Sequence, residues 1–269
     1  MARQSSDRYQ AAPPAETLCA PDDKREVSTA MSNLVDEVLD VYGGAARWKQ
    51  IQTITAHKKF GGAIWDIKGV PGIVDDGEIT VWVQQQRTSL RPFTAPNLKS
   101  DYTPGRVAIE TLDGHPVETL DDPRASFIGH TLETPWTIPQ LAYFTGYAMW
   151  TYAAEPYNLT LPGIVVTQGD DWTEGDETWR RLDVTYPADI ATHSSHQVLY
   201  IDESGLIRRR DYEVDIAGGS PAAHYVSDFL EIGGILVPAK RMIYVRDEAG
   251  QPMLDQLVVS INLSDIDVV

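Results

Sequence analysis

The chain has 269 residues, a formal net charge of −17, and 42% apolar against 23% charged residues. That balance suits one folded domain around a sizeable core and excludes a chain that is disordered or membrane-embedded over most of its length. Nucleic acid is excluded as a partner, because a phosphate backbone is held by clustered Lys and Arg, which occur here only in short pieces such as Arg208-Arg209-Arg210. The same excess of Asp and Glu disfavours docking on anionic head groups, and no stable membrane insertion is expected.

The residues from Ala2 to Ala30 are rich in Pro, Ser, Ala and charge and follow neither a helical nor a strand period, so residues 1–30 are expected to be a disordered tail. Met1 and Met31 are both candidate starts, and residues 31–269 are expected to form one ligand-binding domain. Residues 1–29 contain no apolar stretch of the kind an export signal needs, and a lipid anchor on Cys19 lacks the small preceding residue, so a cytoplasmic location is expected. With Cys19 the only cysteine, neither an intrachain disulfide nor a thiolate zinc cage can form.

Ser32 is an N-cap type residue. After it Leu34, Val35, Val38, Leu39 and Tyr42 recur at helical spacing up to Gly43-Gly44, which predicts a short amphipathic helix braced against a sheet. Beyond Trp48 the period changes to 2, visible in Ile79 to Val83, Leu182 to Tyr186 and Leu254 to Ile266. Turn signals punctuate these strands at Gly61-Gly62, Asp75-Asp76-Gly77, Asp113-Gly114, Gly169-Asp170, Glu203-Ser204-Gly205, Gly218-Gly219, Gly233-Gly234 and Ala249-Gly250. The fold class read from this pattern is mainly β (α+β), a curved antiparallel sheet forming a half-open barrel.

One segment departs from the pattern: between Glu133 and Glu155 there is no Asp, Glu, Lys or Arg. Pro135 and Pro139 fit the first turns of a helix and Thr134 or Thr137 can cap it, which predicts a helix over 137–152. Leu141, Phe144, Ala148 and Tyr152 share one side and Tyr143, Tyr147 and Trp150 another. The three aromatics of the second side carry ~450–750 Å² of mostly apolar surface, too much to leave in water. The helix is therefore either plain core or cover over a cavity, with Trp136, Tyr143, Tyr147 and Trp150 as candidate ligand contacts.

The run Leu39-Asp40-Val41-Tyr42-Gly43-Gly44-Ala45-Ala46-Arg47-Trp48 and the later Gly233-Gly234-Ile235-Leu236-Val237-Pro238, followed by two long strands, resemble the two ends of LolA-like domains, the outer-membrane lipoprotein-carrier superfamily. The resemblance implies an unclosed antiparallel barrel whose helices cover an apolar cavity that takes acyl chains or another oily molecule.

In the strand Leu206 to Ile216, strict alternation turns Arg208, Arg210 and Tyr212 inward, where a guanidinium demands an anion from a side chain or from a ligand head group. A rim arginine that reaches water or pairs with Asp or Glu is the plainer reading of the same residues. His193-Ser194-Ser195-His196 falls at a loop-to-strand junction and reads as ordinary hydrogen-bonded histidines, so no metal site is assigned. His130, just before the aromatic helix, could form a general acid and base pair with Asp211, His193 or Tyr212. No dinucleotide, Walker, nucleophile-elbow or zinc-protease motif occurs, and no cofactor is expected. Two functions fit: a protein that binds an apolar small molecule or lipid, its polar head read by Arg208 or Arg210, or a cofactor-independent cyclase, isomerase or dehydratase of specialised metabolism using His130, His193 or Asp211. A third reading, assembly through the aromatic helix, leaves the oligomeric state open.

Overall fold

The structure is a computed structural model that describes residues 34–269. The expected tail, Cys19 and the Ser32 cap lie outside the described residues. The first element, α1, is helical over residues 34–41, and Leu34, Val38 and Leu39 are buried on its inner side. Gly43 and Gly44 end it with positive φ. The chain continues through α2 (Ala45–Trp48), β1 (Thr53–Gly61), α3 (Ile64–Ile67), β2 (Asp76–Trp82), β3 (Arg87–Arg91), β4 (Leu98–Thr103), β5 (Arg106–Thr111) and β6 (Pro116–Asp121). A 3-10 turn, Pro123–Phe127, leads to the long helix α4 (Ile138–Ala154). The remaining strands are β7 (Val165–Glu174), β8 (Glu177–Thr185), β9 (His196–Ile201), β10 (Ile207–Val214), β11 (Ser220–Ile232), β12 (Ile235–Arg246) and β13 (Pro252–Val268).

All thirteen strands form one antiparallel sheet in the order β6-β5-β4-β3-β2-β1-β13-β12-β11-β10-β9-β8-β7. Strands consecutive in the chain pair with one another except β6 and β7, and β1 also pairs with β13, which joins the two halves of the chain. The sheet does not close, since β6 and β7 are left as its two edges. Helix α4 is the connection between those edges. Residues with period 2 face the helix side, as in β1, where Ile54, Ala56, Lys58 and Phe60 are buried and the residues between them are not.

The expected turns fall between strands at Asp113-Gly114, Glu203-Ser204-Gly205, Gly233-Gly234 and Ala249-Gly250. Gly169-Asp170 does not: it lies inside β7, where the register to β8 slips between Gly169 and Trp172, and the reversal is made by Gly175 at φ 60°. A bulge needs the same small and polar residues as a turn, which is why the two are confused in a sequence.

The two segments that carried the family resemblance meet in the folded chain. Leu236 donates its backbone N–H to the carbonyl of Tyr42 at 3.0 Å, and a side chain on Gly43 would overlap the Gly234 carbonyl. Trp48 stacks on Tyr157 at 4.2 Å beside them. Helix, glycine turn and strand therefore form one locked corner of the molecule.

Candidate functional site

Helix α4 starts where its residues place it. The Gln140 backbone N–H donates to Thr137 Oγ1 at 3.4 Å and the Thr137 N–H donates to Gln140 Oε1 at 2.9 Å, a reciprocal cap with Pro139 in the first turn. It packs mainly on β2–β6 and stands off β11–β13. Gly146 permits this seating, because a Cβ there would overlap the ring of Tyr102 on β4.

A cavity of about 420 Å³ opens between the helix and the half of the sheet it does not touch. This is within the ~300–1,000 Å³ range of small-molecule sites. Phe144, Ala148, Met149 and Tyr152 of α4 form one wall, and Ala222, Ile243, Val259 and Ile261 of β11–β13 the other. Trp65 of α3, Leu132 and Trp136 close an end, and the exposed Asp255, Gln256 and Pro221 lie where the lining reaches the surface.

The faces of α4 are therefore exchanged relative to expectation. Tyr143, Tyr147 and Trp150 are buried but do not line the cavity; Tyr143 meets Tyr102 edge-on at 5.8 Å on the sheet side. The smaller and more varied side, Phe144, Ala148, Met149 and Tyr152, faces the hollow. Three large rings fill the tight half of the molecule, and a hollow survives only beside smaller residues. Trp136 does line the cavity.

Strand β10 also departs from alternation. Its pairing to β9 slips by one residue between Ile207 and Arg209, so Arg208 is an extra residue, and Ile207 rather than Arg208 continues the inward face of Arg210 and Tyr212. Arg208 consequently does not point inward. It is 36% exposed, 3.8 Å from Asp202, with its guanidinium 5.9 Å from the Phe229 ring. Arg210 and Tyr212 do point inward. Asp211 is on the opposite face, held by Arg209 Nε at 2.7 Å and Tyr200 at 3.1 Å, and Arg209 is flanked there by Trp172, Tyr200 and Tyr225.

The acid and base pairs expected from the sequence are thus not assembled. Asp211 and His193 are on opposite faces of the sheet. Burial raises the Asp211 pKa against the opposing pull of Arg209. His130 does not line the cavity; it packs edge-on to Phe127 at 5.3 Å, and burial followed by the Lys68 charge lowers its pKa. Of the three, only His193 reaches the cavity wall.

His193, Tyr152 and Tyr212 together make the cavity's polar floor. Tyr147 Oη is 3.0 Å from His193 Nδ1, Tyr152 Oη is 2.7 Å from His193 Nε2, and Tyr152 Oη is 2.9 Å from Tyr212 Oη. The imidazole lies flat on the Tyr212 ring at 4.1 Å. Burial, then the charges of Arg210 and Arg124, keeps the His193 pKa far below the usual histidine range. Burial likewise raises Tyr152 to about 12 and Tyr212 well above the ordinary phenol value. The floor is neutral and rich in hydrogen-bonding groups.

Behind it lies a charged layer, in which Arg210 was expected and Arg241 and Glu155 were not. Arg210 donates to Gln197 Oε1 at 2.7 Å and to Tyr186 Oη at 2.8 Å, and lies 3.2 Å from Glu155. Arg241 lies 3.8 Å from the other oxygen of Glu155 and donates to the Tyr152 carbonyl at 2.9 Å. Among the described residues, one carboxylate therefore serves two buried guanidiniums. Glu155 was visible as the first charge after the uncharged run, but its partners come from β10 and β12. Among the described residues no three His, Cys, Asp or Glu side chains converge as metal ligands would, and no helix is long and apolar enough to cross a membrane.

No family model matches the chain and no curated protein matches its sequence. Solved structures do share its fold. A DUF1329 family protein from Desulfovibrio piger aligns over 88% of this chain and 92% of its own, at 10% identity and a TM-score of 0.51. A LolA superfamily protein from Nitrosomonas europaea aligns over 88% and 92% at 10% identity and a TM-score of 0.49. A domain from Vibrio parahaemolyticus described as an outer membrane lipoprotein-sorting protein aligns over 90% and 93% at 10% identity and a TM-score of 0.45. The fold is thus shared with the DUF1329 family protein, and at 10% identity the likeness concerns fold alone. The cytoplasmic expectation is withdrawn. That expectation rested on residues 1–29, whose composition carries no information about the domain that follows.

Proposed function

We propose that the protein binds an apolar small molecule or lipid chain in the cavity between α4 and strands β11–β13. The observation that carries this reading is the cavity itself: about 420 Å³ bounded largely by Phe, Trp, Ile, Val, Ala and Met side chains. Emptying water from such a lining favours any apolar occupant by ~25 cal/mol for each Å² of apolar surface covered. The superfamily resemblance points to the same chemistry.

The arginine part of the sequence reading takes a different form. Arg208 lies off the cavity, and Arg210 is fully buried, donating from Nε to Gln197 and from Nη2 to Tyr186, with Nη1 3.2 Å from Glu155. Arg210 acts on a ligand through the field it sets behind the floor, while the direct polar groups are the hydroxyls of Tyr152 and Tyr212 and the ring of His193.

The test is uptake of N-phenyl-1-naphthylamine, whose fluorescence rises in an apolar site. The wild-type chain is expected to give saturable enhancement. Ala148→Trp, or Ala222→Trp from the facing wall, fills the space and is expected to abolish the enhancement while the urea unfolding midpoint stays within the range of a core substitution. Enhancement retained in both filled variants would remove the proposal.

A further inference from the structure

The hydrogen bonds at the cavity floor do not balance. Tyr147, His193, Tyr152 and Tyr212 form a chain of four groups joined by three links. With a neutral imidazole each group carries one proton to donate, so four protons meet three bonds. One proton is left over in every arrangement. If His193 carries its hydrogen on Nε2, Tyr147 donates to Nδ1, Nε2–H donates to Tyr152, and the spare proton belongs to Tyr212 or Tyr152. If the hydrogen is on Nδ1, it is given to Tyr147, and the Tyr147 proton is the spare one.

These arrangements are not equivalent. Tyr147 is fully buried away from the cavity, and among the described residues its hydroxyl has no partner besides His193. A donor stranded there costs its full desolvation. Tyr152 and Tyr212 both line the cavity, so a spare proton on either is one that an occupant can accept. The two guanidiniums behind the floor, opposed by the single carboxylate of Glu155, make that end of the cavity attractive to the negative end of a dipole.

Taking the cavity to be a binding site, we infer that its ligand carries a hydrogen-bond-accepting oxygen, of the carbonyl, ether or hydroxyl kind, at the end that enters first, and that the Tyr212 or Tyr152 hydroxyl receives it. The ligand is then anchored at its inner tip as well as along its apolar body. A pure hydrocarbon of the same length fills the space but leaves the spare proton without an acceptor.

The experiment pairs two probes of equal chain length, 2-undecanone and undecane, as competitors of N-phenyl-1-naphthylamine in the wild-type, Tyr212→Phe and Tyr152→Phe/Tyr212→Phe proteins. The expected result is displacement by both, with the ketone preferred by about tenfold in the wild type, the preference kept in Tyr212→Phe, where the spare proton passes to Tyr152, and reduced to within about twofold when both hydroxyls are removed. In the same wild-type complex the ketone carbonyl stretch is expected at the lower, hydrogen-bonded infrared frequency, a readout that does not depend on the variant folding. Equal displacement by the two probes, or a carbonyl stretch at its hydrocarbon-solvent position, overturns the inference and leaves the cavity reading standing. Displacement by neither probe defeats both.

Discussion

His193 and His224 are both fully buried, and both are held neutral by desolvation and by arginine charge, His193 with Arg210 and Arg124 nearby and His224 with Arg241 and Arg210. In the unfolded chain each would titrate near 6.5. The sign follows directly: below that pH the unfolded state binds protons that the native state refuses, so stability falls as pH drops, with a slope approaching about 1.4 kcal/mol per pH unit for each histidine. Urea unfolding midpoints measured from pH 7 down to pH 5 should show this fall. The His224→Asn protein should show a shallower one, and an unchanged slope would count against the buried neutral pair. Most of these two histidines' surroundings were illegible beforehand, because Arg210 and Arg241 reach them from strands separated by a long stretch of chain.

At the scale of an element, α4 was readable almost to the residue. The uncharged run, the Thr137 cap and Pro139 set its start, and Glu155 follows its last turn. Which side faced the hollow was not readable, since both sides are apolar and the choice depends on the sheet beneath. Gly146 records that choice. In an isolated helix Gly146→Ala would stabilise by up to ~1 kcal/mol, but here the added methyl meets the Tyr102 ring. The expected net outcome is a loss of ~1–3 kcal/mol in urea denaturation, and a Tyr102→Leu background, which keeps the Cβ and Cγ nearest that methyl, should not relieve it. Strand β10 teaches the same lesson from the other direction. Alternation alone put Arg208 inside, and one extra residue beside Ile201 and Tyr200 moved it out and left Arg210 and Tyr212 in place.

At the scale of the whole molecule, the last strand in the chain sits in the middle of the sheet. β13 lies between β1 and β12, so it ties the segment ending in β6 to the segment beginning with β7. Deleting residues 252–269 should therefore do more than trim an edge. It removes Val259 and Ile261 from the core and the cavity wall, and it exposes two strand edges at the sheet's centre. The truncated chain is expected to lose its cooperative thermal transition, as followed by near-ultraviolet circular dichroism. Retention of a sharp transition would show that the two halves fold independently.

The sequence by itself determined the local terms. Period-2 runs and turn residues required an antiparallel sheet, and an uncharged stretch of aromatics required a buried helix. Two glycine-bearing segments marked the two ends of the domain, which meet in the folded chain. These are properties of neighbouring residues, and neighbours are what a sequence displays. The tertiary structure alone decided that α4 leans on β2–β6 and leaves a hollow over β11–β13, and that a bulge takes Arg208 off the inward face of β10. It also brought His193, Tyr152 and Tyr212 together above Glu155, Arg210 and Arg241. Each of these follows from how surfaces distant in the chain fit together, and close packing admits only the arrangement in which the bulky rings find the tight side.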